Sequence, residues 1–273
     1  MRPRATTMGS MTGIIPTVDQ IEALHRKLAP SDAAYDLIHT HCVIIAQITR
    51  QLIHRRNALF MRRCTLPADA PERTGEPAPG AFAVPATDGV TGGTVPPRYL
   101  DAGQAVLGAL LHDIGTYRVL KNDGSNGEPL TFDGPHYVQH GLIGYDLLLN
   151  EGYDESIAQY ARNHTGVGLT REAVVRQGLP LPPDDYVPVN LEQEVVMVAD
   201  KYHSKSVPPK FLTADAYARK AARFGEDNKE QWLDLVRTYG EPDVPAPAEA
   251  YHMRHGGGHR RAGGRAPRAP GGG

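Results

Sequence analysis

This sequence predicts an all-α fold, and three observations carry that prediction. Apolar residues recur at three- and four-residue spacing: Leu37, Ile38, Ile44, Ile45, Ile48 and Leu52 share one face at about 100° per residue, with His41 in their midst. Helix-start signatures stand before such runs, in Thr17 with Gln20 and in Asn190 with Gln193. The segment Leu107-Gly-Ala-Leu-Leu-His-Asp-Ile-Gly115 is nearly apolar on every side, as befits a helix in the middle of a domain. It ends in His112 and Asp113, a ring and a carboxylate that are costly to bury unless something there needs them. A bound cation would need them.

The elements follow in order. Residues 1–16 carry no periodicity and read as a flexible lead-in. A first helix opens after Thr17, sets Ile21, Leu24 and Leu28 on one face, and stops at Pro30. Ser31 opens a second that runs to about Arg62. On it His39 falls roughly 160° from the stripe and is expected to face solvent, whereas His41 faces inward. Taken alone, His41 reads as a core histidine bonded to backbone. Residues 64–98 interleave proline with Ala, Gly and Thr and read as a disordered insertion between core helices.

Asp101 caps the helix that ends at His112 and Asp113. Residues 116–134 are turn chemistry, and Pro135 suits the first position of a helix bearing His136, His140, Ile143, Gly144 and Leu147 on one side. His136 and His140 are four apart, so their rings are expected to meet over one turn. Gly141 and Gly144 each cost that helix roughly 1 kcal/mol relative to Ala, which implies close approach of another backbone or a ligand. Asp154 caps the next helix, with Ile157, Ala161 and His164 on one face and Gly166 as the stop. A short helix over 170–177, a proline-rich loop to Val189, and a helix from Asn190 to Asp200 follow. Thr213–Phe224 and Asn228–Tyr239 are two more, the last packing through Trp232, Leu235, Val236 and Tyr239. Residues 17–240 thus read as one helical domain, and 241–273 as a disordered basic tail rich in Gly, Pro and Arg.

Bulk properties exclude several classes. The 273 residues carry a net charge of -2, so no overall field favours nucleic acid and no specific nucleic-acid binding is expected. No apolar run approaches the roughly 20 residues of a membrane span, and Arg2 and Arg4 have no apolar core behind them. Cys42 and Cys64 form no metal-binding or redox spacing, which fits a reducing compartment. The expectation is a cytoplasmic protein without membrane contact.

Five helices therefore aim His41, His112, Asp113, His140, His164 and Asp200 inward or hold them at helix ends. Nitrogen and oxygen donors without thiolate suit Mn, Fe, Co, Ni or Zn. Six donors exceed what one tetrahedral ion uses, so one or two divalent transition metal ions are expected, the pair sharing Asp113.

These residues resemble a known family. His41-Cys-Val-Ile-Ile-Ala46, His112-Asp-Ile-Gly115 and Asp200 resemble the H…HD…D signature of HD-domain metal phosphohydrolases, in the form of the HDIG subgroup. His140-Gly-Leu-Ile-Gly144 and Asn163-His-Thr-Gly166 are similar to the two extra histidines of its two-metal members, which include cyclic-dinucleotide phosphodiesterases. The resemblance covers 31–63 and 99–205. Thr116 stands where the cyclic-dinucleotide enzymes carry a lysine, and their Gly-Tyr-Pro triplet is absent.

The resemblance implies an HD-type helical bundle that cleaves a phosphate ester by attack of a metal-bound hydroxide. The substrate would be a nucleotide or another small phosphomonoester. His41, His112, Asp113 and Asp200 would surround a first ion, and His140 and His164 a second, with Asp113 bridging. Asp113 and His136 are the expected catalytic residues. His136 reads either as a proton donor one turn from His140 or as an exposed helix-start histidine. Arg162, Lys201 and Lys205 lie near ligands, either to grip a phosphate or as ordinary surface cations. Two other readings stay open: a di-iron HD-type oxygenase, and a non-catalytic nucleotide-sensing module.

Overall fold

The structure is a computed structural model that describes residues 13–69 and 85–256. Helix α1 (Val18–Leu28) opens on the expected reciprocal cap: the Thr17 hydroxyl accepts from the Gln20 amide, and the Gln20 side chain accepts from the Thr17 amide at 2.9 Å. Helix α2 (Asp32–Thr65) has 34 residues and therefore runs about 50 Å at 1.5 Å per residue. Its buried stripe of Ile38, His41, Ile44, Ile45, Ile48 and Leu52 packs against α3 (Ala102–Leu111) and α7 (Leu191–Asp200). Those two helices are capped by Asp101 and Asn190, whose carboxylate and amide oxygens accept from the Gln104 and Gln193 amides.

Around this centre lie α4 (His140–Asn150), α5 (Glu155–Arg162), α6 (Arg171–Gln177), α8 (Ala214–Ala221), α9 (Glu226–Tyr239) and α10 (Pro245–Ala250). Strands are few and short. β1 (Leu120–Asn122) pairs antiparallel with β2 (Thr131–Phe132), placing Leu120 opposite Phe132. β3 (His203–Ser204) pairs antiparallel with β4 (Lys210–Leu212), which pairs in parallel with β5 (Arg254–Gly256). The fold is helical, as the periodicity predicts.

Glycines bring the site-bearing elements together. A Cβ on Gly115 would lie 2.1 Å from the His140 carbonyl oxygen and 2.4 Å from the Gly144 nitrogen. A Cβ on Gly141 would lie 2.9 Å from the Ala161 carbonyl oxygen. The turn after α3, the start of α4 and the end of α5 thus meet backbone to backbone, which is the close approach inferred from Gly141 and Gly144.

Two segments read as disordered from composition carry structure where they are described. Within 64–98, residues 85–98 lie along α2, and Val90 is fully buried. Arg55 and Arg56, buried near the end of α2, donate to the Gly92 and Thr94 carbonyls at 2.8 and 2.5 Å. Few apolar residues are needed there because backbone carbonyls supply the contacts. Residues 70–84 lie outside the described residues. Within the predicted tail, Val244 and Ala248 are buried and β5 adds a strand to the small sheet. Residues 257–273 lie outside the described residues, as do 1–12 of the lead-in. Ile14, also in the predicted lead-in, bridges to Tyr153.

Candidate metal centre

Each donor is delivered by an element whose burial is already fixed. His41 comes from the middle of α2, His112 from the end of α3, and Asp113 opens the 3-10 turn Ile114–Arg118. His140 starts α4, His164 lies two residues past α5, and Asp200 ends α7. All six converge. Around Asp113 Oδ2 and Asp200 Oδ1, His41 Nε2 lies 3.0 Å from each, and His112 Nε2 lies 3.5 and 3.4 Å away. Around Asp113 Oδ1, His140 Nε2 lies at 3.4 Å and His164 Nε2 at 3.5 Å. The two oxygens of one carboxylate therefore serve two donor sets: His41, His112, Asp113 and Asp200, and Asp113, His140 and His164.

The tautomers follow from hydrogen bonding. His112, His140 and His164 each donate Nδ1–H to the carbonyl three residues earlier, of Ala109, Tyr137 and Ala161, at 2.7, 2.5 and 2.7 Å. A carbonyl only accepts, so the proton is on Nδ1 and the neutral ring keeps its Nε2 lone pair for the interior. The Nε2 atoms of His140 and His164 are 3.0 Å apart. Burial pushes the His140 pKa down to about 3 and that of His164 down as well. Two lone pairs held that close, on rings that resist protonation, fit a cation between them. Separations of 3.0–3.5 Å also fit, because bonds of about 2.1 Å in a tetrahedral arrangement set donors roughly 3.4 Å apart. The donor set therefore suits divalent transition ions.

Charge in the cluster is held by its neighbours. Burial opposes ionisation of Asp113, yet Lys205 and His112 outweigh it and hold the carboxyl well below its usual range. Lys201 and the histidines do the same for Asp200. Burial also opposes a charged His112, but Asp113 and Asp200 prevail and raise its pKa to about 10. A proton and a cation thus compete for that ring. Thr116 donates its hydroxyl to Asp113 Oδ1 at 3.0 Å and orients the shared carboxylate. Cys42 packs beside the centre, and burial raises its thiol pKa.

A cavity of about 400 Å³ opens from the donors. His140, His164 and Asp200 form one end, Lys201, Lys205 and Lys220 flank it, and Val138, Leu169 and Leu179 supply apolar wall. Lys201 donates to Asp200 Oδ2 at 2.6 Å and to the His164 carbonyl at 3.0 Å, and Lys205 donates to Asp113 Oδ2. Lys220 has no ion-pair partner among the described residues.

Two expected site residues stand elsewhere. His136 is exposed and pairs with Asp133 at 2.8 Å. It belongs to a 3-10 helix, Gly134–Gln139, not to α4. At three residues per turn, positions four apart diverge by about 120°, so the rings of His136 and His140 do not meet. Arg162 donates to Asp184 Oδ2 and the Asp185 carbonyl at 2.5 and 2.6 Å and lies over the Tyr186 ring, fastening the loop after α6. His39, expected to face solvent, keeps only 16% of its side-chain surface exposed and pairs with Glu22 at 2.8 Å, because α1 covers that face. The sequence reading missed His203, whose Nδ1 lies 2.8 Å from that of His41. Its position three residues after Asp200 was the available signal.

A family model described as HD domain matches residues 80–205. An uncharacterised protein of Methanocaldococcus jannaschii is 38% identical over 94 residues, 34% of this chain and 45% of that protein. The tRNA (cytidine(56)-2'-O)-methyltransferases of Thermoplasma volcanium and Picrophilus torridus are each 34% identical over 100 residues, 37% of this chain and 24% of theirs. The chain thus spans less than half the length of these curated relatives. Among solved structures, the HD domain of the L. monocytogenes phosphodiesterase PgpH is 12% identical, with a TM-score of 0.40 over 84% of this chain and 99% of that one. Its complex with cyclic-di-AMP gives 12% and 0.38 over 86% and 98%. No helix among the described residues is long and apolar enough to cross a membrane. His41 lies outside the matched segment, yet α2 carries it to the pair His112–Asp113 that the segment contains, and over residues 80–205 this chain is similar to the HD domain.

Proposed function

We propose that this protein is a metal-dependent phosphohydrolase acting on a small phosphorylated substrate, a nucleotide or another phosphomonoester. The observation that carries the reading is the shared carboxylate of Asp113, with one donor set on each oxygen, beside a cavity lined by His140, His164 and Asp200 together with three lysines. His41, His112, Asp113 and Asp200 would hold one ion, and His140, His164 and Asp113 a second. Bound divalent ions supply Lewis acidity, drawing charge from a phosphoryl oxygen and acidifying water at neutral pH.

The chain's own groups do the rest. Lys201, Lys205 and Lys220 flank the cavity with ammonium groups, and a phosphate is the anion whose several oxygens such a wall binds. Lys201 and Lys205 are already anchored on Asp200 and Asp113, so their charges are positioned before substrate arrives. Lys220, 5.7 Å from the centre of the Tyr217 ring and without an ion pair among the described residues, is placed for a second anionic group. Val138, Leu169, Leu179 and Phe224 offer apolar surface against which a base or another flat group packs.

The test is a metal analysis of the purified protein together with a substrate panel of nucleoside monophosphates, cyclic dinucleotides and p-nitrophenyl phosphate. Release of phosphate, or of the linear dinucleotide from a cyclic one, that needs Mn or Co, proceeds without oxygen and stops with chelator supports the reading. Release from no substrate, with oxygen uptake by the iron-loaded protein, replaces it with an oxygenase. Tight nucleotide binding without turnover replaces it with a sensor.

A further inference from the structure

Three of the four histidines in the centre find their own orienting acceptor. His112, His140 and His164 sit at helix ends and reach a carbonyl three residues back. His41 cannot do this. It lies in the interior of α2, where carbonyls are engaged in the helix ladder, so its outer nitrogen needs a partner from another element. That partner is His203, buried on β3, with Nδ1 2.8 Å from His41 Nδ1 and ring planes tilted by 33°. β3 is held by its pairing with β4, and Phe211 meets the His203 ring edge to face at 5.0 Å.

The direction of this hydrogen bond is set from its far end. His203 Nε2 lies 3.3 Å from the thioether sulfur of Met253. A thioether accepts and never donates, so His203 carries its proton on Nε2. Its Nδ1 is then an acceptor, and the proton between the rings belongs to His41 Nδ1. With that nitrogen occupied, the lone pair of His41 is on Nε2, the atom 3.0 Å from both Asp113 and Asp200.

We propose that His203 is a positioning residue, which fixes the tautomer and ring orientation of the metal ligand His41 through a one-way hydrogen-bond chain that ends on the Met253 sulfur. The inference rests on reading the cluster as a metal centre. Groups in this position tune ligands strongly, and their loss weakens metal binding by roughly 10- to 100-fold.

The test uses the full chain stripped of metal, titrated with Zn(II) or Co(II) against a chromophoric chelator. His203→Leu fills the space without an acceptor, whereas His203→Asn returns an oxygen near the position of Nδ1. The Leu variant is expected to weaken one of two ion-binding steps by about 10- to 100-fold, to leave the other within about threefold, and to alter the Co(II) visible spectrum. The Asn variant is expected to recover most of the loss. Equal affinity in wild type and the Leu variant overturns the inference alone, while a wild-type chain that binds no ion overturns the metal-centre reading and the inference with it. Should the Leu variant fail to fold, nitrogen NMR of the Zn-loaded wild type decides. A scalar coupling between the Nδ1 atoms of His41 and His203, with the His203 proton on Nε2, supports the chain, and a His203 proton on Nδ1 overturns it.

Discussion

His140 and His164 face each other through their Nε2 atoms across 3.0 Å of protein interior. Nothing else in the second donor set replaces either ring. His140→Ala is therefore expected to bind one ion where wild type binds two, with the His41 set retained. Elemental analysis after dialysis checks the ratio. Binding to the folded state alone adds about 2.7 kcal/mol at a ligand concentration 100 times Kd, so the metal-induced rise in thermal midpoint should also shrink in this variant.

Asp113 belongs to both sets. Asp113→Ala is expected to lose most bound metal at both positions and to lower turnover by at least about 100-fold, the scale of removing several kcal/mol of charge stabilisation. Metal content unchanged from wild type would contradict its bridging place.

His25 gives a clean pH dependence because it touches no metal donor. It is fully buried, accepts from the Tyr117 hydroxyl at 2.9 Å and donates to the Leu110 carbonyl at 2.8 Å. Burial lowers its pKa to about 4, against the opposing pull of the Leu110 bond. Between the unfolded value near 6.5 and the folded value near 4, the unfolded chain binds the extra proton, so stability falls as pH falls through that window. The full contribution is on the order of 3 kcal/mol, present above about pH 6.5. Urea unfolding of metal-free protein from pH 4 to 7 should show this slope on top of that from His140 and His164, and His25→Gln should reduce it by about one proton, roughly 1.4 kcal/mol per pH unit.

Gly115→Ala places a Cβ against the His140 and Gly144 backbone, which has no side-chain freedom with which to yield. The expected cost is about 3 kcal/mol or more, as for severe overpacking, with loss of the second ion as α4 is displaced. Denaturant unfolding and metal stoichiometry together report both effects.

His136→Ala is expected to keep turnover within about twofold of wild type and stability within about 0.5 kcal/mol, as for an ordinary surface change. A large loss of turnover would put the ring back among the catalytic groups, despite its exposed pairing with Asp133.

The sequence disclosed the helices and the convergence of the six side chains because one physical rule covers both. An apolar stripe fixes which way a helix faces, so His41 amid Ile38, Ile44, Ile45 and Ile48 has only one direction to point. The same rule misplaced His136, since it assumes 100° per residue and the chain there winds as a 3-10 helix. Arg162 was ambiguous because a long cation at a helix end reaches either a phosphate or a loop, and here it reaches Asp184. Residues 85–98 were illegible for a different reason. Their anchors are contacts between distant positions, such as Arg56 with Thr94 and Thr238, and bonds to carbonyls leave no trace in local composition. The partnership of His41 with His203 spans 162 positions and is hidden in the same way.

The parallel pairing of β5 with β4 bears on where this polypeptide tolerates shortening. A gene stopped after Tyr239, where amino-acid bias changes, would still encode every member of the two donor sets. It would delete the sulfur behind His203, however, and strip β4 of its neighbour, leaving unpaired edge amides that invite self-association. Trimming at that natural-looking border would therefore yield a sticky, miswired protein whose catalytic inventory looks complete on paper.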